Sequence, residues 1–160
     1  RLVGRLGKPV ETRFQLLVLL LQKEVADRIV ARPGQSNFSA LSVRLQLLAN
    51  CKDICQVAPS CFQPPPKVHS KVIVIEPIKK EDCLNPVLAY RVETLLRMAF
   101  ASRRKMLRNS LGGLSSFCDL ENFAKRAGIN LSQRPQELSP SEWLEMAMNW
   151  NCAGEVKKAL

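Results

Sequence analysis

Six consecutive apolar residues, Leu-Leu-Val-Leu-Leu-Leu at positions 16–21, stop abruptly at Gln22-Lys23-Glu24. The run falls well short of the about 20 residues needed to span a bilayer. Arg1, Arg5, Lys8 and Arg13 precede it and imitate a secretory signal, but no small-residue cleavage site follows. The remaining reading is a strand over residues 14–21 buried on both faces, as in a parallel sheet covered by helices. A short helix over 22–31 follows, with Val25, Ile29 and Val30 inward, and Pro33-Gly34 stops it.

A second helix is expected over 40–49, where Leu41, Val43, Leu45, Leu47 and Leu48 give a blurred period. Val72-Ile73-Val74-Ile75 reads as a second apolar strand. Strand, helix, helix, strand is a piece of an α/β domain, with too few strands to complete a sheet. Between the strands, Pro64-Pro65-Pro66 fixes φ, removes three amide donors and makes a stiff extended loop. That loop is either a rigid connector or ligand, or a wall holding Phe62 at the rim of a site.

After the charged hinge at 78–82 the pattern turns entirely helical. Asn85-Pro86 is an N-cap followed by proline at the first helical position. Leu88, Val92, Leu95, Leu96, Ala99 and Phe100 then recur at helical spacing. Asn109-Ser110-Leu111-Gly112-Gly113 ends the segment, and a helix over 117–127 closes on Gly128. Ser139-Pro140-Ser141-Glu142 is a capping box, with Leu138 and Trp143 placed for a hydrophobic staple. A small helical subdomain is therefore expected over 81–160, after an α/β piece over 1–80.

The chain carries 24 basic and 14 acidic residues, a net +10. Such an excess favours a polyanionic partner over a neutral metabolite. Residues 1–80 hold 13 basic and 5 acidic side chains, and residues 81–160 hold 11 and 9. In the second half the excess is concentrated in one place. Arg91, Arg97, Arg103, Arg104, Lys105 and Arg108 stand against Glu93 alone. Arg97, Arg104 and Arg108 are therefore expected along one helical face, with Arg103 and Lys105 flanking it. Such a stripe matches phosphates, because arginine offers a planar fork of donors and each neutralised phosphate releases counterions. It equally matches a solvated face at a helix C-terminus.

Six cysteines at 51, 55, 61, 83, 118 and 152 lack paired Cys-x2-Cys knuckles, and His69 is the sole histidine. Reduced thiols and no metal are expected. There is no Gly-x-Gly-x-x-Gly loop and no Ser-His-Asp arrangement. From the residues alone, this is a polyanion-binding α/β-plus-helical chain without a visible active site.

Three ordered stretches carry a resemblance. Leu21-Gln22-Lys23-Glu24-Val25-Ala26-Asp27-Arg28 resembles the "LQKEVADR" segment of the ribosomal RNA adenine N6,N6-dimethyltransferase family. Phe62-Gln63-Pro64-Pro65-Pro66-Lys67-Val68-His69-Ser70 resembles its "FxPPPKVDS" loop, with His69 standing where the family usually has Asp. Ala99-Phe100-Ala101-Ser102-Arg103-Arg104-Lys105-Met106-Leu107-Arg108-Asn109 resembles its "AFxxRRKxLRN" helix, and residues 127–139 resemble its C-terminal tail. Asn37-Phe38-Ser39-Ala40-Leu41-Ser42 replaces the usual Tyr-Gly-Arg-Leu-Ser stretch and lacks its arginine.

The resemblance implies an α/β fold. Specifically, it implies the C-terminal part of a Rossmann-like S-adenosylmethionine-dependent methyltransferase domain, followed by a small all-α subdomain. It implies dimethylation of two adjacent adenines near the 3′ end of small-subunit rRNA during ribosome biogenesis. The chain begins at Arg1, after the family's cofactor and catalytic motifs, so no catalytic or cofactor-binding residue is expected within it. A fragment of this kind is expected to be inactive alone and to expose an apolar sheet face near residues 16–21. Phe62 would pack against the target base. Arg97, Arg103, Arg104, Lys105, Arg108 and Lys67 would bind RNA, with Gln22, Lys23 and Arg28 on the RNA side. The expected partner is small-subunit rRNA in an immature 30S-type particle. The protein would be a monomer in the cytoplasm or, alternatively, in a plastid or mitochondrion. The competing reading is a non-catalytic nucleic-acid-binding, ribosome-assembly or transcription-factor module of the same fold.

Overall fold

The apolar run does form a strand, but only one of its faces is covered. A computed structural model describes residues 14–78, 84–116 and 119–150. Arg1, Arg5, Lys8, Arg13, Phe117, Cys83, Cys118, Cys152 and most of the charged hinge lie outside these residues. Strands β1 (Leu17–Gln22), β2 (Ala49–Val57) and β3 (Ser70–Pro77) form a sheet in the order β1-β3-β2. The central β3 runs antiparallel to both neighbours, with Leu19 opposite Ile73 on one side and Asp53 opposite Ile73 on the other.

Helices α1 (Lys23–Val30) and α2 (Ala40–Gln46) cover the inner face. There Leu17, Ile73, Ile75 and Ala49 pack with Ala26 and Ile29 of α1, and Leu45 of α2 joins them. The outer face holds Val18 at 60% and Leu20 at 51% exposure, with Ile54 at 61%. Burial of β1 on both faces is thus corrected. Leucine and valine occupy both parities of the strand, so hydrophobicity alone could not say which side a helix covers. The exposed apolar face anticipated near residues 16–21 is present.

Strand β2 was not foreseen, because Lys52, Asp53 and Gln56 break its pattern. It is an edge strand, where polar side chains face water and pairing is made by main chain. A bulge between Asp53 and Cys55 disturbs its register with β3.

In the helical half, Asn85 accepts a bond from the Leu88 amide at 2.9 Å and Pro86 opens α3 (Pro86–Phe100). Ala89, Val92, Leu95, Leu96 and Ala99 form its buried stripe. The basic segment does not continue this helix. α3 ends at Phe100, residues 101–105 turn, and α4 (Leu107–Ser110) starts a new direction. Arg97, Arg104 and Arg108 therefore do not share one helical face. α5 (Leu120–Arg126) is capped by Asp119 and ends at Gly128, whose φ of +69° suits glycine. α6 (Pro140–Met148) carries the anticipated capping box: the Ser139 amide donates to Glu142 at 2.7 Å, and the Glu142 amide donates back at 3.2 Å. Leu138 and Trp143 are both fully buried beneath it.

The larger core takes residues from both halves of the chain. Phe38, Val43 and Leu48 join Val92, Leu95, Leu107, Leu111, Phe123, Trp143 and Met146 in one cluster. Arg44 of α2 grips Glu93 of α3 with two Nε contacts at 2.9 and 2.8 Å and an Nη2 contact at 2.7 Å.

Candidate nucleic-acid interface

The basic turn after α3 is held by its neighbours on two sides. On one side, Arg103 Nη2 donates to the carbonyls of Ser36 at 2.6 Å and Phe38 at 3.2 Å. On the other, the amides of Leu107 and Arg108 donate to the carbonyls of Gln133 at 2.8 Å and Leu131 at 3.0 Å. Arg108 Nη2 also donates to Ser132 Oγ at 2.7 Å. A third tie closes the group, since the Gly34 amide donates to the Gln136 carbonyl at 2.7 Å. Three loops, around residues 32–38, 101–108 and 131–137, are thereby drawn together.

They bring Arg103, Arg104, Lys105 and Arg108 into one neighbourhood. They also add Arg32 and Arg134, which the sequence reading missed. Neither stands in a basic run, so only the loop pairing reveals them. Among the described residues, Arg104 and Lys105 are exposed cations with no ion pair, and Glu137 is the one acid on these loops. Arg97 is exposed in the last turn of α3, just before the turn. Uncompensated positive charge on a rigid loop cluster suits a phosphate backbone.

The Phe62 region lies elsewhere. Phe62 is half-buried at the end of a short 3-10 turn, its amide donating to the Pro59 carbonyl at 3.1 Å. The exposed prolines lead to Lys67, and the Lys23 amide donates to the His69 carbonyl at 2.9 Å, fastening this loop to the start of α1. An open cleft of about 470 Å³ results, lined by Gln22, Lys23, Glu24, Asp27, Lys67, Val68 and His69. Phe62 is not among its walls. The proline-rich loop thus meets the N-terminal end of α1, and the basic loop cluster meets the residues following its C-terminal end.

Two other predicted cations already have partners. Arg28 pairs with Glu24, and Lys23 pairs with Asp27, both at 2.5 Å. Asp27 also takes Lys71 at 2.6 Å, and Lys71 reaches Asp53 at 3.2 Å. Hydrogen bonds from Lys23 and Lys71 hold the Asp27 carboxyl below its ordinary 3.8, and Asp27 in turn raises Lys71. This network ties α1 to the inner face of the sheet. Cys51, Cys55 and Cys61 are free thiols, and burial pushes Cys51 up to about 11, keeping it protonated near neutrality.

Among the described residues, no group of three His, Cys, Asp or Glu side chains is placed to hold a metal ion. No described helix is long and apolar enough to cross a membrane.

The ribosomal RNA adenine dimethylase family model matches residues 2–151. Ribosomal RNA small subunit methyltransferase A of Prochlorococcus marinus (strain MIT 9303) is 61% identical over 156 residues, covering 98% of this chain and 56% of that protein. Its counterpart in Synechococcus sp. (strain WH7803) is 55% identical over the full 160 residues, covering 57% of that protein. The chain thus spans about half the length of the curated relatives it matches. A solved dimethyladenosine transferase from Plasmodium falciparum is similar with a TM-score of 0.67 and 25% identity, over 86% of this chain and 57% of that one. The 23S rRNA methyltransferase ErmE is similar in fold, with a TM-score of 0.62 and 20% identity over 84% of this chain and 54% of that one.

Proposed function

Because this chain belongs to the ribosomal RNA adenine dimethylase family, we propose that it supplies the RNA-gripping part of an rRNA adenine N6,N6-dimethyltransferase. Its substrate on this reading is a pair of adjacent adenines near the 3′ end of small-subunit rRNA, modified while the subunit assembles. The observation that supports it best is the loop cluster carrying Arg104 and Lys105, which have no acid partner among the described residues. We place the protein in the cytoplasm, as a monomer acting on an immature 30S-type particle. We assign residues 1–80 to the methyltransferase domain and 81–160 to a helical RNA-binding domain.

An adenine N6 amine is a weak nucleophile, its lone pair being delocalised into the ring. The base must be extruded, held by hydrogen bonds to its amine and aligned with the methyl donor. On this reading Phe62 packs against the extruded ring, and the basic loops hold the flanking phosphates. S-adenosylmethionine is the methyl donor expected of the family, but the described residues do not fit it. The β1–α1 junction is Gln22-Lys23-Glu24 with no glycine for close approach, and its cleft is walled mainly by charged side chains. On this reading the basic loops and Phe62 bind and orient RNA.

The test is a salt series with small-subunit rRNA and the Arg104→Ala, Lys105→Ala double variant. Affinity should fall about tenfold or more at moderate salt, and the slope of log K against log salt should flatten by about 1.5. An unchanged slope would return these side chains to ordinary solvated charge. In a full-length protein, Phe62→Ala should lower methylation more than RNA binding. Binding without any methyl transfer by the unaltered protein would favour the non-catalytic module.

A further inference from the structure

Arg103, Arg104 and Lys105 are neighbours in sequence, yet the structure treats them differently. Arg104 and Lys105 are exposed, whereas Arg103 is partly buried with its Nη2 directed at the Ser36 and Phe38 carbonyls. Phe38 is fully buried in the larger core, so one of these acceptors sits on a rigid anchor. The receiving loop is itself fastened, by Asn37 Nδ2 donating to the Asp27 carbonyl at 2.9 Å and by the Gly34–Gln136 bond. Leu107 and Arg108 fix the other end of the turn to residues 131–133.

We propose that Arg103 is a positioning residue and not a phosphate ligand: it clamps the 101–105 turn onto the Ser36–Phe38 main chain and so aims Arg104 and Lys105 at RNA. The inference rests on the RNA-interface reading above. Its chemical basis is that the two N–H bonds of Nη2 are fixed in the guanidinium plane and reach two carbonyls at once. A lysine ammonium is more strongly hydrated and ends one bond nearer the backbone, so it keeps the charge without reaching both acceptors. Charge alone should therefore fail at position 103.

The experiment compares Arg103→Lys and the Arg104→Ala, Lys105→Ala double variant with a control substitution, Lys125→Arg, at an exposed cation of α5 outside the loop cluster, using a transcript of the 3′ domain of small-subunit rRNA. Arg103→Lys should weaken binding about tenfold, while Lys125→Arg leaves it unchanged. A second readout needs no RNA. In Arg103→Lys, the amides of Phe38 and Lys105, which bond to the Gln35 and Ser102 carbonyls, should exchange with solvent about tenfold faster. Unchanged exchange overturns the clamp whatever the RNA does. Arg103→Lys binding RNA normally while the double variant binds weakly overturns the positioning role. If exchange quickens but the double variant still binds normally, the RNA-interface reading has failed, and the aiming role fails with it.

Discussion

The helical core and the sheet core are made of the same residue types and end in different states. Leu95, Leu96, Leu107, Leu111, Phe123 and Trp143 are wholly enclosed, because helices bury only a stripe and several stripes converge. The sheet buries Ile73 and Ile75 against α1 and α2 but leaves Val18, Leu20 and Ile54 in water on its other side. A sheet has two faces and needs two layers to hide both. Here the described elements provide one. The difference shows that apolar content predicts burial only after the number of covering layers is known.

Truncation inside each core gives the largest test of that contrast. Leu95→Ala should cost about 3–5 kcal/mol and Ile73→Ala about 2–3 kcal/mol, measured by urea unfolding. The smaller loss is expected beside a thinly covered sheet that can relax around the gap. Equal losses would mean the two cores are equally constrained.

A middle-sized effect concerns the charges that fasten α1 to the sheet. Asp27→Asn should cost about 1–2 kcal/mol near neutral pH. Because Asp27 is held below its ordinary 3.8, its contribution is complete above that value and disappears as pH falls through the lower folded one. The stability gap between variant and unaltered chain should therefore narrow below about pH 4. Lys71, raised by the same partner, loses its contribution at the opposite extreme, as pH climbs past 10.5. A gap that persists at low pH would show that packing, not charge, holds α1 down.

The smallest stability effect is expected on the uncovered face. Val18→Thr with Leu20→Thr should change stability by less than about 0.5 kcal/mol. It should also visibly reduce light scattering and hydrophobic-dye binding, because these side chains are already hydrated. A loss of several kcal/mol would show that this face is covered in solution.

Local chemistry was legible in the sequence, and tertiary ties were not. Asn85-Pro86 and Ser139-Pro140-Ser141-Glu142 mark their helix starts because a cap is made by residues three apart. The end of α3 left no such mark. Ala101, Ser102, Arg103 and Arg104 are all compatible with helix, and the chain turns where bonds to residues 36, 38, 131 and 133 hold it. β2 stayed hidden because an edge strand needs main-chain partners more than an apolar pattern. At the site, the concentration of charge shows in the sequence, but the helical stripe its spacing suggests is broken by the turn at 101–105. Arg32 and Arg134 belong with it only because distant loops meet.

Helix α1 connects the two regions proposed to handle RNA, and it is eight residues long. At about 1.5 Å per residue it sets about 12 Å between the end that meets the proline-rich loop and the end that leads into the 32–38 loop. It also fixes their relative rotation. One inserted residue would lengthen the spacer by only about 1.5 Å but would swing one end by about 100° relative to the other. The helix is therefore a phase-setting screw as much as a ruler. A base held at one end and a phosphate held at the other would fall out of step through angle long before they fell out of reach through distance.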